Sequence, residues 1–215
     1  INSFSNTNQV ISKHLNWKVD IDFNTKIFKC IAEFKMIPLI NDLYEIILDS
    51  MDISIISIHI NNDECDFKID IDHKYTKVLG QPLTIIVNHS KTNIVSNQEF
   101  TLRIEYNTSP NAVAVNFLYK EQTLSKKEPF LFTQSEPIYT RSLLPCQDTP
   151  SNKITCRCEV ITPIGIKGFF SGLKISDENE GSDKVKSTFI QNVPIPTYLF
   201  AFACGDIHHR QISNR

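Results

Sequence analysis

Gln134 and Glu136 are the side chains whose type and spacing suggest chemistry first. On an extended segment, residues i and i+2 project from the same face. A carboxylate beside an amide oxygen offers two acceptors, and two acceptors can hold an ammonium ion. Charge-assisted bonds of this kind contribute about 1.5–3 kcal/mol each when shielded from water. Spacing by itself leaves a plainer reading open, and favours it: Glu136 pairs with Arg141 or faces solvent.

Other constellations carry less. The histidines stand at 14, 59, 73, 89, 208 and 209, and no two form the HExxH pair of a helical zinc site. Cys156 and Cys158 share a strand face but have no second pair at ligand spacing, so they read as small core hydrophobes. The His208-His209-Arg210 run reads as a solvated edge. Ser135 has no histidine near it in sequence, and there is no GxSxG elbow or glycine-rich phosphate loop. The residues suggest a binding pair, not a complete catalytic machine.

The pair lies in an unusual stretch, Glu128 to Pro150, EPFLFTQSEPIYTRSLLPCQDTP. Pro129, Pro137, Pro145 and Pro150 each remove a backbone donor and restrict the residue before them. A chain pinned this often presents side chains at fixed places. Pro137 stops the ladder just after Glu136, which puts the pair at a strand end.

The elements that must position this stretch are strands. Leu15, Trp17, Val19, Ile21 and Phe23 alternate with polar residues, and Phe28, Cys30, Ala32, Phe34 and Met36 do the same after a turn at Asn24-Thr25. This pattern predicts a half-buried antiparallel hairpin. Further strands are expected at Leu43–Asp49, Ser54–Ile60, Glu64–Asp70, Pro82–Val87, Glu99–Tyr106, Ile154–Ile161 and Val185–Gln191, and over the apolar run Tyr198–Ala203. The isoleucines of Ser54–Ile60 predict a strand that is central or covered on both faces. The charged Asp177–Lys184 predicts an exposed loop tip, and Val193-Pro-Ile-Pro196 predicts a break. No segment holds a helical period over ten residues. The expectation is an all-β fold of several sheets in a single domain spanning 1–215.

Composition excludes several classes. Hydrophobic residues make up 41% and charged residues 21% of 215, which is ordinary for a globular chain. A net charge of -2 argues against nucleic acid as a partner. No apolar run approaches the roughly 18 residues of a membrane span. The N-terminus is polar, with no secretory apolar core. Six scattered cysteines are too few for a disulfide scaffold and imply reduced thiols in a cytoplasmic protein. The glycosylation-type triplets Asn88-His89-Ser90 and Asn107-Thr108-Ser109 carry little weight in an Asn-rich chain.

The runs PFLFTQSE, RSLLPCQDTPS and QNVPIPTYLFA, with Gly205 beyond, resemble the N-terminal domain of gluzincin-type zinc metalloaminopeptidases. The likeness is greatest to the leukotriene-A-4 hydrolase and aminopeptidase B branch, and it extends back through Leu48-Asp49, Ile53 and Ile60-Asn61. The resemblance implies a saddle-like, multi-sheet β-module that precedes a zinc catalytic domain and a helical domain. It implies that Gln134 and Glu136 bind the free N-terminal amine of a peptide substrate. It implies that Arg141, Pro145 and Asp148 support the loop structurally, with Cys146 buried. The leukotriene hydrolases carry glutamine at the second position of the pair. Glutamate here favours peptide amines over epoxide hydrolysis.

The HExxH helix, its distal glutamate, the Gly-x-Met-Glu-Asn motif and the catalytic tyrosine of that family are not in these 215 residues. The chain ends about where the family's catalytic domain begins. Zinc is therefore expected in an absent catalytic domain, and this chain alone is expected to bind none and cleave nothing. The alternative is a non-catalytic binding or scaffold module with the same β-fold. The sequence following Arg215 discriminates between the two.

Overall fold

The structure is a computed structural model and describes residues 2–208, 210, 212 and 213. His209, part of the His208-His209-Arg210 run, lies outside the described residues; His208 Nε2 sits 3.2 Å from Asp206 Oδ1. The all-β expectation holds. The strands are β1 (Val10–Asp22), β2 (Ile27–Pro38), β3 (Glu45–Ser50), β4 (Ser54–Ile60), β5 (Asp63–Glu64), β6 (Phe67–Ile69), β7 (Gln81–Ile86) and β8 (Phe100–Asn107). They continue as β9 (Val115–Leu118), β10 (Phe130–Thr133), β11 (Lys153–Pro163), β12 (Lys167–Phe170), β13 (Leu173–Glu180), β14 (Lys184–Pro196) and β15 (Phe202–Gly205). Among the described residues the one α-helix, α1 (Thr76–Leu79), has four residues, so no helix is long enough to cross a membrane.

Three sheets form. The largest has the order β13-β14-β11-β1-β2-β8-β4-β5. All its pairs are antiparallel except β1 with β11, which joins residues about 140 apart, Trp17 opposite Cys158 for example. A four-stranded sheet, β12-β15-β10-β9, and a three-stranded sheet, β3-β7-β6, complete the fold. The alternating apolar residues of β1, β2, β8 and β11 all face inward and join one core cluster with residues of the two smaller sheets. Trp17 is its largest member. The ring packs edge-on against Phe202, with centroids 5.1 Å apart, and its neighbour across the strand is the small Ala32. Its Nε1 donates to the Tyr106 hydroxyl at 3.0 Å, which donates to Leu143 O at 2.8 Å. The buried indole and phenol polar atoms are thereby satisfied, and the core is tied to the proline-rich stretch.

Five expectations fail for identifiable reasons. Asp177–Lys184 is not a loop tip. Its first half, Asp177–Glu180, belongs to β13, Lys184 opens β14, and only residues 181–183 turn. An edge strand with both faces wet needs no apolar residues, and its charges pair across to β14: Lys186 with Glu178 at 3.2 Å, and Ser187 Oγ donating to Asp177 at 2.6 Å. β4 is neither central nor covered on both faces: only the two-residue β5 lies beyond it, and Ile56 is 55% exposed at a bulge between Ile55 and Ser57, which throws one isoleucine out of the alternation. Glu64–Asp70 divides into β5 and β6, which join different sheets. Val193–Pro196 does not break β14. Those prolines lie beyond Ile190, the last residue that β13 pairs, where one side of the strand needs no donor. The Tyr198–Ala203 run begins instead as a 3-10 turn, Thr197–Leu199, before β15.

Candidate functional site

β10 lies inside the four-stranded sheet, paired to β15 and β9. Beyond Thr133 the chain leaves the ladder but keeps its alternation: Gln134 and Glu136 are exposed, and Ser135 between them is buried. Gln134 N–H donates to Ala114 O at 2.8 Å, and Tyr139 N–H closes back on Ser135 O at 2.7 Å. The Glu136–Pro137 peptide is cis. The Gln134 amide donates weakly to Glu136 O at 3.4 Å. Among the described residues the Glu136 carboxylate has no hydrogen-bond or ion-pair partner. It does not pair with Arg141, so of the plain readings only solvent exposure survives. The backbone on both sides of the pair is tied down while the two side chains stay available.

Arg141 follows in a 3-10 turn, Thr140–Ser142, and is 0% exposed. Its Nε donates to Asp148 Oδ2 at 3.0 Å, Nη1 to Leu79 O at 2.7 Å, and Nη2 to Asn2 O at 2.9 Å and Asp148 O at 3.1 Å. Asp148 also takes the Arg141 backbone N–H and the Thr197 hydroxyl. Pro145 is buried between Leu144 and Cys146. The Cys146 thiol is pushed well up by burial and by the nearby Asp148 and Asp49 carboxylates, so it stays protonated and inert.

Two members of this network escaped the sequence reading. Asp49 on β3 lies 3.6 Å from Arg141 Nη1 and is fully buried. Burial raises its carboxyl above the ordinary value, against the pull of Arg141 and the bonds from Ser3, Phe4 and Asp148. Its signal was a lone acid in an apolar strand. Gln147 accepts Ser12 N–H at 2.9 Å and donates to Val10 O at 2.8 Å, which pins the start of β1. Nothing local in the sequence marks its partner, which lies 135 residues away.

Among the described residues no three His, Cys, Asp or Glu side chains cluster as ligands. All six cysteines are free and buried, and desolvation pushes Cys30 and Cys204 up to about 12. A zinc ion of the kind the resemblance implies would need other residues.

A family model described as the Peptidase M1 N-terminal domain matches residues 11–199. Leukotriene A-4 hydrolase from Xenopus laevis is 33% identical over 99% of this chain and 34% of its own length. Leucine aminopeptidase 2 from Yarrowia lipolytica is 35% identical over 81% of this chain and 25% of its own length. Among solved structures, leukotriene A4 hydrolase from Saccharomyces cerevisiae superposes with a TM-score of 0.85 at 30% identity, covering 100% of this chain and 32% of that one. The M1 zinc metallopeptidase from Deinococcus radiodurans matches at 0.72 and 19% identity, covering 92% and 42%, and shares the fold. The chain thus spans about a third of the length of the curated relatives it matches. With a family model matching most of its length, relatives alike over nearly the whole chain and a superposition covering all of it, the chain belongs to the Peptidase M1 N-terminal domain family.

Proposed function

We propose that this chain is the substrate-anchoring wall of a zinc aminopeptidase of the leukotriene A-4 hydrolase type. In this reading Gln134 and Glu136 hold the free N-terminal amine of a peptide, and Arg141, Pro145 and Asp148 support the loop that carries them. The observation that carries it is the unpartnered Glu136 carboxylate beside Gln134 on a segment whose backbone is tied at both ends. An exposed acid with no partner is available to a ligand. A loop fixed before the ligand arrives has little ordering entropy left to lose.

The chemistry follows from charge. An ammonium ion gives Glu136 a counter-charge that an internal peptide N–H cannot supply, so internal sites are rejected. Fixing the amine also sets the distance to the first carbonyl, which limits cleavage to one residue at a time. The zinc, which supplies an activated water, belongs to a catalytic domain elsewhere in the whole enzyme. Glutamate at the second position of the pair favours peptide amines over epoxide substrates. The whole protein works in the cytoplasm, where the buried thiols stay reduced.

The test is Glu136→Gln in the full-length enzyme, assayed on aminoacyl amides with free and acetylated amines. Loss of one charge-assisted bond lowers kcat/KM on the free amine by about ten- to a hundredfold. Unchanged kinetics would remove Glu136 from this role.

A further inference from the structure

Arg141 carries one positive charge between two buried carboxylates. Asp148 lies seven residues along the same stretch. Asp49 comes from β3, in a different sheet from β10. Its carboxylate is unusually well occupied. Ser3 Oγ donates to Oδ2 at 2.6 Å, Phe4 N–H to Oδ1 at 2.7 Å, and Asp148 N–H to Oδ2 at 3.0 Å. Its backbone also exchanges two bonds with Cys146, at 2.8 and 3.1 Å. Both its main chain and its side chain are therefore bound to the loop that follows the site.

We propose that Asp49 is a positioning residue for the amine-binding pair, acting through Arg141 and the Thr140–Ser142 turn on Gln134 and Glu136. The proposal rests on the amine-binding reading above. Asp49 touches no substrate, and its effect travels along bonds that can be traced. Arg141 anchors the turn, and the next residue, Ser142, donates from Oγ to Tyr139 O at 2.8 Å. Ser142 Oγ in turn accepts Ala114 N–H at 3.2 Å, and Ala114 O accepts Gln134 N–H at 2.8 Å. Tyr139 N–H on Ser135 O closes the ring. The segment bearing the pair is thus held at its start and its end by one turn, and that turn is held by the Arg141 guanidinium together with main-chain bonds from Arg141 N–H to Asp148 and from Met51 N–H to Arg141 O. A buried network of this kind is rigid while every member is paired and loses definition when one is removed. A carboxylate that must meet an ammonium ion needs its position held to within about 0.5 Å.

A double-mutant cycle in the full-length enzyme tests this. Asp49→Asn keeps the size of the side chain but removes its charge and turns an amide N–H₂ toward donors. With Glu136 present it lowers kcat/KM on a free-amine aminoacyl amide about tenfold, mainly through KM. In a Glu136→Gln background the same change costs less than about threefold, because the group it positions is already altered. Ser3→Ala removes the 2.6 Å bond from a half-buried segment without leaving a buried charge unpaired. It gives a smaller loss of about threefold with the same dependence on Glu136, and it decides the question if Asp49→Asn does not fold. Equal losses in both backgrounds, for whichever variant folds, overturn the proposal and leave Asp49 with a purely structural role. An inert Glu136→Gln single variant overturns the amine-binding reading and this proposal together, which separates the two failures.

Discussion

Glu136 and Arg141 stand five residues apart and meet opposite fates. One is exposed and unpartnered, the other enclosed with its guanidinium hydrogens distributed over Asp148, Leu79 and Asn2. The difference follows from hydrogen-bond capacity. A guanidinium has five donors in a fixed fork and can be buried only where carbonyls and carboxylates surround it. A glutamate at a strand end has water as its ready partner. The thiols obey the same accounting. Each is buried, and desolvation raises Cys30 and Cys204 to about 12 and pushes Cys65, Cys146, Cys156 and Cys158 up as well. The folded protein therefore resists iodoacetamide at about pH 8, where an exposed cysteine is partly thiolate, and all six react once denaturant is added. Rapid labelling of Cys146 in the native protein would contradict the closed network around it.

Elements meet at points where a side chain does not fit. Gly80 ends α1 with φ of 72°, and a Cβ added there would lie 2.2 Å from Ser50 O. The approach lets Leu79 O reach Arg141 and sets β7 beside β3. Gly80→Ala combines left-handed backbone with a collision against main chain, neither of which a rotamer change relieves. It is expected to cost about 1–3 kcal/mol, and at about 2–4 °C per kcal/mol in a chain of this size calorimetry reads it directly. An unchanged melting temperature would mean that the α1–β7 junction yields freely. The edge strand β13 shows the reverse case. It has room on both faces, so its sequence is charged and its pairing comes from backbone bonds and ion pairs with β14.

At the scale of the whole molecule the histidines are dispersed. His14 bonds Thr155 and Asn16, His89 meets Leu43 O, and His73 meets Phe4 edge-on. No two of these three share an element, and no acid completes a ligand set among the described residues. Residues 1–215 purified alone are therefore expected to carry no stoichiometric zinc and to leave aminoacyl amides intact. One equivalent of zinc by metal analysis would overturn this. The fold is instead a platform. A large sheet and two small ones enclose one core, and β10 delivers the exposed pair from inside the four-stranded sheet.

The period-two alternation of β1, β2, β8 and β11 was enough to identify the strands and the residues they bury, because burial of every second side chain is a local property of a pleated chain. The motifs around Gln134, Arg141 and Pro145-Cys146-Gln147-Asp148 were enough to suggest the family. Sheet order was not legible: β1 lies beside β11 through contacts between residues about 140 apart, and no local pattern encodes a partner. The bulge at Ile55/Ser57 and the edge position of β13 were hidden for the same reason, since a strand's neighbours decide which faces are wet. Asp49 shows the limit most clearly. As a residue type it was an acid in an apolar strand. Only the tertiary fold brings it to Arg141, because the charge that makes its burial tolerable is supplied by a loop 92 positions further along the chain.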